Sequence, residues 1–190
     1  MTNETTIKQI INVNYAGEYG AIRLYKAMIL VANVFHKPLL TTLQTILSDE
    51  QKHCDIFRSI MPKYNMVPCR LTWIWGVAGF FLGIGTALLG KRSLLICVKA
   101  AENTAHSHLQ AQSKFLANKD NDLTQIINDV HIEEHKHVEL SEEGLKKGKR
   151  HFYEPFLYKA IYQICQATMW LVTKGESSNM RKTLIIYRNS

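Results

Sequence analysis

The chain has 190 residues, 46% hydrophobic and 21% charged, with 23 Lys+Arg against 16 Asp+Glu for a net charge of +7. That length fits one domain whose core needs no disulfide or metal staple, and the composition excludes disordered and collagenous chains. The positive balance suits an anionic partner: nucleic acid, anionic lipid or an acidic substrate.

Helical periodicity runs through nearly the whole chain and predicts an all-α fold. A first helix carries Ile7, Ile10, Ile11, Ala21, Ile22, Tyr25, Ile29 and Ala32 on one stripe, and Pro38 opens a second with Leu39, Leu43, Ile46, Leu47, Phe57 and Ile60. Pro62 ends that helix. After Gly90 a further helix carries Leu94 through Phe115, and Asn118–Asn121 has turn chemistry. The next runs from Leu123 and fades at Gly148, and Pro155 opens a last helix through about Val172. The tail 175–190 has no predicted structure, and 1–190 reads as a single domain.

Cys54, Cys69, Cys97 and Cys165 form no CxxC pair, so zinc-ribbon and thioredoxin readings fall away and reduced, packed thiols are expected. The first residues have neither a basic and apolar signal pattern nor an Arg-rich transit pattern, so no targeting segment is predicted. Basic residues do not alternate with stacking aromatics, which argues against a nucleic-acid partner.

The stretch 71–90 has no charged residue, five glycines and paired Trp73 and Trp75. It reads as a membrane-interface segment ahead of a buried core helix or a transmembrane span. No acidic residue lies between Asp55 and Glu102, whereas Arg58, Lys63, Arg70, Lys91, Arg92 and Lys99 do, which suits an anionic membrane surface.

Carboxylates and histidines follow an internal repeat. Glu50/His53 and Glu134/His137 are Glu-x-x-His pairs, each on one helix face. Glu18 precedes Glu50 by 32 residues, Glu102 precedes Glu134 by 32, and the two halves are offset by 84. The midpoints fall at positions 34 and 118, beside the predicted turns, so each half is a helix hairpin that sets its lone Glu opposite its Glu-x-x-His. All six residues interrupt apolar stripes, and four buried carboxylates need compensating charge. Two metal ions supply it, with iron the first choice, manganese next and zinc third. His106, one turn after Glu102, either hydrogen-bonds a ligand or is an ordinary core histidine. His108, His131 and His135 are expected to face solvent or pack at the rim. Tyr15 and Tyr25 flank Glu18 as packing or site contacts.

Ala16–Ala21 (AGEYGA), Asp49–His53 (DEQKH), Glu134–His137 (EHKH) and Gly79–Gly90 (GFFLGIGTALLG) resemble the demethoxyubiquinone hydroxylase family of ubiquinone biosynthesis, over about Ile10 to Val172. The resemblance implies a ferritin-like four-helix bundle with an added membrane-interface helical segment and a C-terminal helix. It implies two iron ions per chain on Glu18, Glu50, His53, Glu102, Glu134 and His137, with Glu50 and Glu134 bridging and His106 beside the site. The implied enzyme is a 5-demethoxyubiquinol monooxygenase using O₂. Its implied partners are the quinol, an anionic membrane surface and other ubiquinone-biosynthesis proteins. His108 stands where some members have a tyrosine, and the tail after Lys174 departs from the family. The expected location is peripheral, on the cytoplasmic side of a bacterial inner membrane, ahead of the matrix side of the mitochondrial inner membrane. The alternatives are another ferritin-like protein (ferroxidase, rubrerythrin-like peroxidase or manganese catalase) and a non-enzymatic scaffold of a quinone-biosynthesis complex.

Overall fold

The computed structural model describes residues 2–173, 175, 178, 180 and 182–185. The longer α-helices run in order: α1 (Asn3–Phe35), α2 (Leu40–Ile60), α3 (Thr72–Leu88), α4 (Lys91–Leu116), α5 (Asn121–Lys146) and α6 (Glu154–Val172). Short 3-10 turns at Lys37–Leu39 and Met61–Tyr64 bracket α2. No strand occurs among the described residues. The protein is an all-α helical bundle.

Local chemistry sets the boundaries. The Thr2 hydroxyl caps α1 by accepting from the Thr5 amide at 3.2 Å. Pro38 keeps α1 from continuing, so the chain breaks at His36 and re-enters as α2. The Asp120 carboxylate caps α5 through the Leu123 amide at 3.0 Å and also accepts from the Tyr64 hydroxyl at 2.6 Å. Gly90, at φ +109°, makes the sharp corner between α3 and α4 that a side chain would strain. The second hairpin turn, 117–120, contains the repeat's midpoint 118, and the first, 36–39, begins two residues beyond the midpoint 34, which lies in α1.

Hairpin α1–α2 and hairpin α4–α5 face each other, with α1 also against α4 and α2 against α5. Their shared core includes Ile10, Tyr25, Met28, Phe57, Leu94 and Phe115, all essentially inaccessible to solvent. Helix α6 covers α4, and α3 lies along α1. In the tail, Met180 and Leu184 are buried, and Met180 Sδ accepts from Gln112 Nε2 at 3.6 Å. The described tail residues 178, 180 and 182–185 are helical, and 176, 177, 179, 181 and 186–190 lie outside the described residues.

The glycines of α3 explain how a 17-residue apolar helix sits here. A Cβ on Gly79 would stand 2.6 Å from the Gly20 carbonyl oxygen, and one on Gly83 2.4 Å from that of Leu24. Opposite Gly20 lies the Trp75 indole, which donates Nε1–H to the Gly17 carbonyl at 3.2 Å. The two helices therefore touch backbone to backbone. The far side of α3 leaves Trp73, Val77, Phe80, Phe81 and Leu88 exposed. No helix among the described residues is long and apolar enough to cross a membrane.

The expected ring of six cations is smaller in three dimensions. Lys63 pairs with Asp122 at 2.8 Å, Arg92 with Glu154 at 2.7 Å and Lys99 with Glu142 at 2.7 Å. Arg92 also donates to the Leu145 and Lys147 carbonyls, tying the start of α4 to the end of α5. Arg58, Arg70 and Lys91 have no ion-pair partner among the described residues.

Candidate metal centre

All six residues of the repeat meet in the bundle interior. Glu18 comes from α1, Glu50 and His53 from α2, Glu102 from α4, and Glu134 and His137 from α5. Each is at most 5% exposed. Their donor atoms fall into two overlapping sets, Glu18/Glu50/His53/Glu134 and Glu50/Glu102/Glu134/His137, each within 4.8 Å. Glu50 and Glu134 belong to both, the arrangement two bridged ions require. His53 Nδ1 lies 3.4 Å from Glu134 Oε1 and His137 Nδ1 3.4 Å from Glu50 Oε1.

The donor set fits metal. Glu50 Oε1, Glu134 Oε2 and the Nδ1 atoms of His53 and His137 are all buried without a hydrogen-bond partner. Orphaned polar atoms are rare in native interiors, and four converging on one point mark a place for cations. The outer imidazole nitrogens are held from behind. His53 Nε2 meets Glu133 Oε2 at 2.7 Å and His137 Nε2 meets Asp49 Oδ2 at 3.3 Å, the carboxylate–histidine pattern that turns Nδ1 toward a metal.

Electrostatics express the same crowding. Burial, then the neighbouring Glu50, holds Glu18 well above the usual carboxylate range. Burial together with Glu102 and Glu50 does the same to Glu134. Burial works against charge on Glu102 as well, but its neighbours Glu134, His137 and Tyr25 bring it below its ordinary value. The Tyr25 hydroxyl donates to Glu102 Oε1, and burial and that carboxylate push the phenol far up. His137 is raised to about 11, because Glu102 and Glu50 outweigh its burial.

Among the histidines outside the repeat, half-buried His131 and exposed His135 sit at the rim as expected, whereas His108 does not. The His106 ring lies against those of His131 and His135, tilted 34° to each. His108, expected outside, is buried and lines a cavity whose floor is Glu18, Glu50, Glu102 and Glu134. Gln166 Nε2 stands 3.5 Å from the His108 ring. The walls are Gly17 and Leu24 of α1, Trp75, Gly79 and Leu82 of α3, and Cys165 and Met169 of α6, around about 730 Å³ of empty space counted out to the mouth. Asp49 and Glu133 were missed, although both Glu-x-x-His pairs announce them: each is preceded by an acid.

Residues 5–172 match the family of ubiquinone biosynthesis protein COQ7. The chain belongs to that family. It is 34% identical over 174 residues to the NADPH-dependent 3-demethoxyubiquinone 3-hydroxylase, mitochondrial, of Rattus norvegicus, covering 89% of this chain and 78% of the relative. The Homo sapiens protein of the same name is 32% identical over 142 residues, 73% of this chain and 64% of that one. The 3-demethoxyubiquinol 3-hydroxylase of Rhodospirillum rubrum is 30% identical over 171 residues, 87% of this chain and 76% of the relative. The family thus holds bacterial and mitochondrial members, and its matched region stops at the end of α6.

Proposed function

We propose that this chain is a membrane-associated, ferritin-like di-iron monooxygenase that hydroxylates the ring of a demethoxyubiquinol in ubiquinone biosynthesis. The observation that carries the reading is the pair of donor sets sharing Glu50 and Glu134 at the floor of an apolar cavity. The names of the relatives support the substrate. Glu18, Glu50 and His53 with Glu134 would hold one iron, and Glu102, Glu134 and His137 with Glu50 the other. Iron with carboxylate and imidazole ligands and open positions supplies O₂ chemistry. One oxygen atom enters the ring, and the other leaves as water with two electrons and two protons from a reductant.

The chain's own residues do the positioning. Asp49 and Glu133 fix the two imidazoles, and Tyr25 holds one oxygen of Glu102. Gly17 leaves the cavity open beside the carboxylates, while Leu24, Leu82 and Met169 keep water from the reacting face. His108, Asn14 and Thr104 place polar groups in a largely apolar wall, where the quinol oxygens would lie. A polyprenyl tail leaves the cavity past α3, whose exposed stripe of Trp73, Val77, Phe81 and Leu88 would rest in the membrane interface.

Two measurements test this. Metal analysis of the purified chain is expected to find two irons. Quinone profiling of cells lacking the protein is expected to show accumulated demethoxyubiquinone and lost ubiquinone. Accumulation of an earlier ring precursor would assign a different step, and an iron-loaded protein with an unchanged quinone profile would favour iron handling instead.

A further inference from the structure

Beside the carboxylate centre, α4 and α5 bring three more imidazoles together. His131 and His135 stand four residues apart on α5, on one face of the helix. His106 reaches them from α4, its ring centroid 4.2 Å from that of His131 and 5.3 Å from that of His135, with planes inclined 34° in both pairs. Nδ1 of His106 and Nε2 of His131 are shut off from solvent and have no hydrogen-bond partner. The Nε2 atom of His135 lies 3.5 Å from the Glu139 carboxylate. Packing alone would be served better by apolar side chains, which leave no polar atom orphaned.

We propose that His106, His131 and His135 form a separate binding site for one late first-row divalent cation, zinc foremost. Three imidazole nitrogens with a fourth position for water make a tetrahedral zinc set. Donors that are all nitrogen favour zinc, copper or nickel, whereas the carboxylate-rich centre suits iron or manganese. Two imidazoles on a tetrahedral ion have centroids about 5 Å apart, given metal–nitrogen bonds of about 2 Å. The His106–His135 pair already has that spacing, whereas His106 and His131 must open by about 1 Å and side-chain rotation must turn the three donor nitrogens to one point, since they lie farther apart than those of the carboxylate centre. Glu139 stands behind His135 as carboxylates stand behind metal-bound histidines. None of the three residues belongs to the donor sets of the carboxylate centre, so both sites can fill together.

The test uses the full chain already loaded with iron. Titrated with Co²⁺ and followed by its visible ligand-field absorption, it is expected to take up one further ion with a Kd of about 10 µM or tighter. Zn²⁺ is expected to displace it and to raise Tm. His106→Gln, His131→Ala and His135→Ala should each weaken Co²⁺ uptake at least tenfold and abolish the Tm rise, with iron content unchanged. No uptake beyond the iron, or uptake that survives all three substitutions, overturns the site. Loss of iron along with the cobalt overturns it too, because the cluster would then be a support of the carboxylate centre. Cobalt held by these histidines in a chain that never takes up iron would sustain this site and count against the proposed function.

Discussion

Substituting two glycines two positions apart in α3 should move stability in opposite directions. Gly85 faces open space in the last turn of α3, so Gly85→Ala gains part of the interior helix-propensity difference, at most about 1 kcal/mol. Gly83→Ala gains about that much but places its Cβ 2.4 Å from the Leu24 carbonyl oxygen and 2.9 Å from the Ala27 Cβ. Those obstacles are backbone and a methyl group, so no rotamer change relieves them. Restoring ordinary contact pushes α3 from α1 by about 1 Å, which puts the cost near the upper end of overpacking, about 3 kcal/mol. The net loss is about 2 kcal/mol, or a Tm roughly 4–8 °C lower in a chain of this size, against a rise of at most about 4 °C for Gly85→Ala. Thermal melts of the iron-loaded protein in mild detergent separate the two. Gly79 and Leu82 of the same helix wall the cavity, so turnover should also fall in Gly83→Ala. If both variants raised Tm alike, α3 would not lie on α1 as described, and the cavity would lose that wall.

Glu134→Ala should empty both metal positions, since its carboxylate serves both donor sets, and unchanged iron content would refute the assignment. Asp49→Asn and Glu133→Gln should keep the fold and lower iron affinity by about 10- to 100-fold, read by chelator competition. In metal-free protein, Glu18, Glu134 and His137 all hold protons more tightly than the unfolded chain does, so stability should fall as pH rises above 4.5 for the carboxyls and above 6.5 for the imidazole. Melts of stripped protein should therefore give a higher Tm at pH 6 than at pH 8, a difference that iron loading removes; equal values would show that these groups are not crowded together. Trp73→Ser with Phe81→Ser should weaken binding to vesicles at all salt concentrations, whereas Arg70→Glu with Lys91→Glu should weaken it only at low salt. Unchanged sedimentation with vesicles in both pairs would remove α3 from the membrane surface.

The convergence of the six carboxylate and histidine residues was legible because it is one-dimensional. Helix spacing and a fixed offset place six residues without knowledge of any neighbour, and the turns at 36–39 and 117–120 follow from proline and turn chemistry. What the sequence withholds are the pairings between distant elements. The glycines of α3 read as weakening a helix until α1 lies against them. Arg92, Lys63 and Lys99 read as free cations until Glu154, Asp122 and Glu142 arrive from far along the chain. His106 follows Glu102 by one turn, yet the approach of α5 claims it, while His108 turns to the cavity beside α6. A single helix does not reveal which of its flanks each neighbour will cover.

The carboxylates that orient the two histidines change sides. Asp49 belongs to the first hairpin but holds His137 of the second, and Glu133 of the second holds His53 of the first. Glu50 and Glu134 cross in the same way, so each donor set draws three residues from one hairpin and its fourth from the other. Neither half owns a finished position. A small slip of one hairpin along the other disturbs both imidazoles at once, even with every ligand still present. Filling the first position clamps the halves in the register that the second one needs. Iron uptake should accordingly be all-or-nothing, with chains carrying two ions or none and few carrying one.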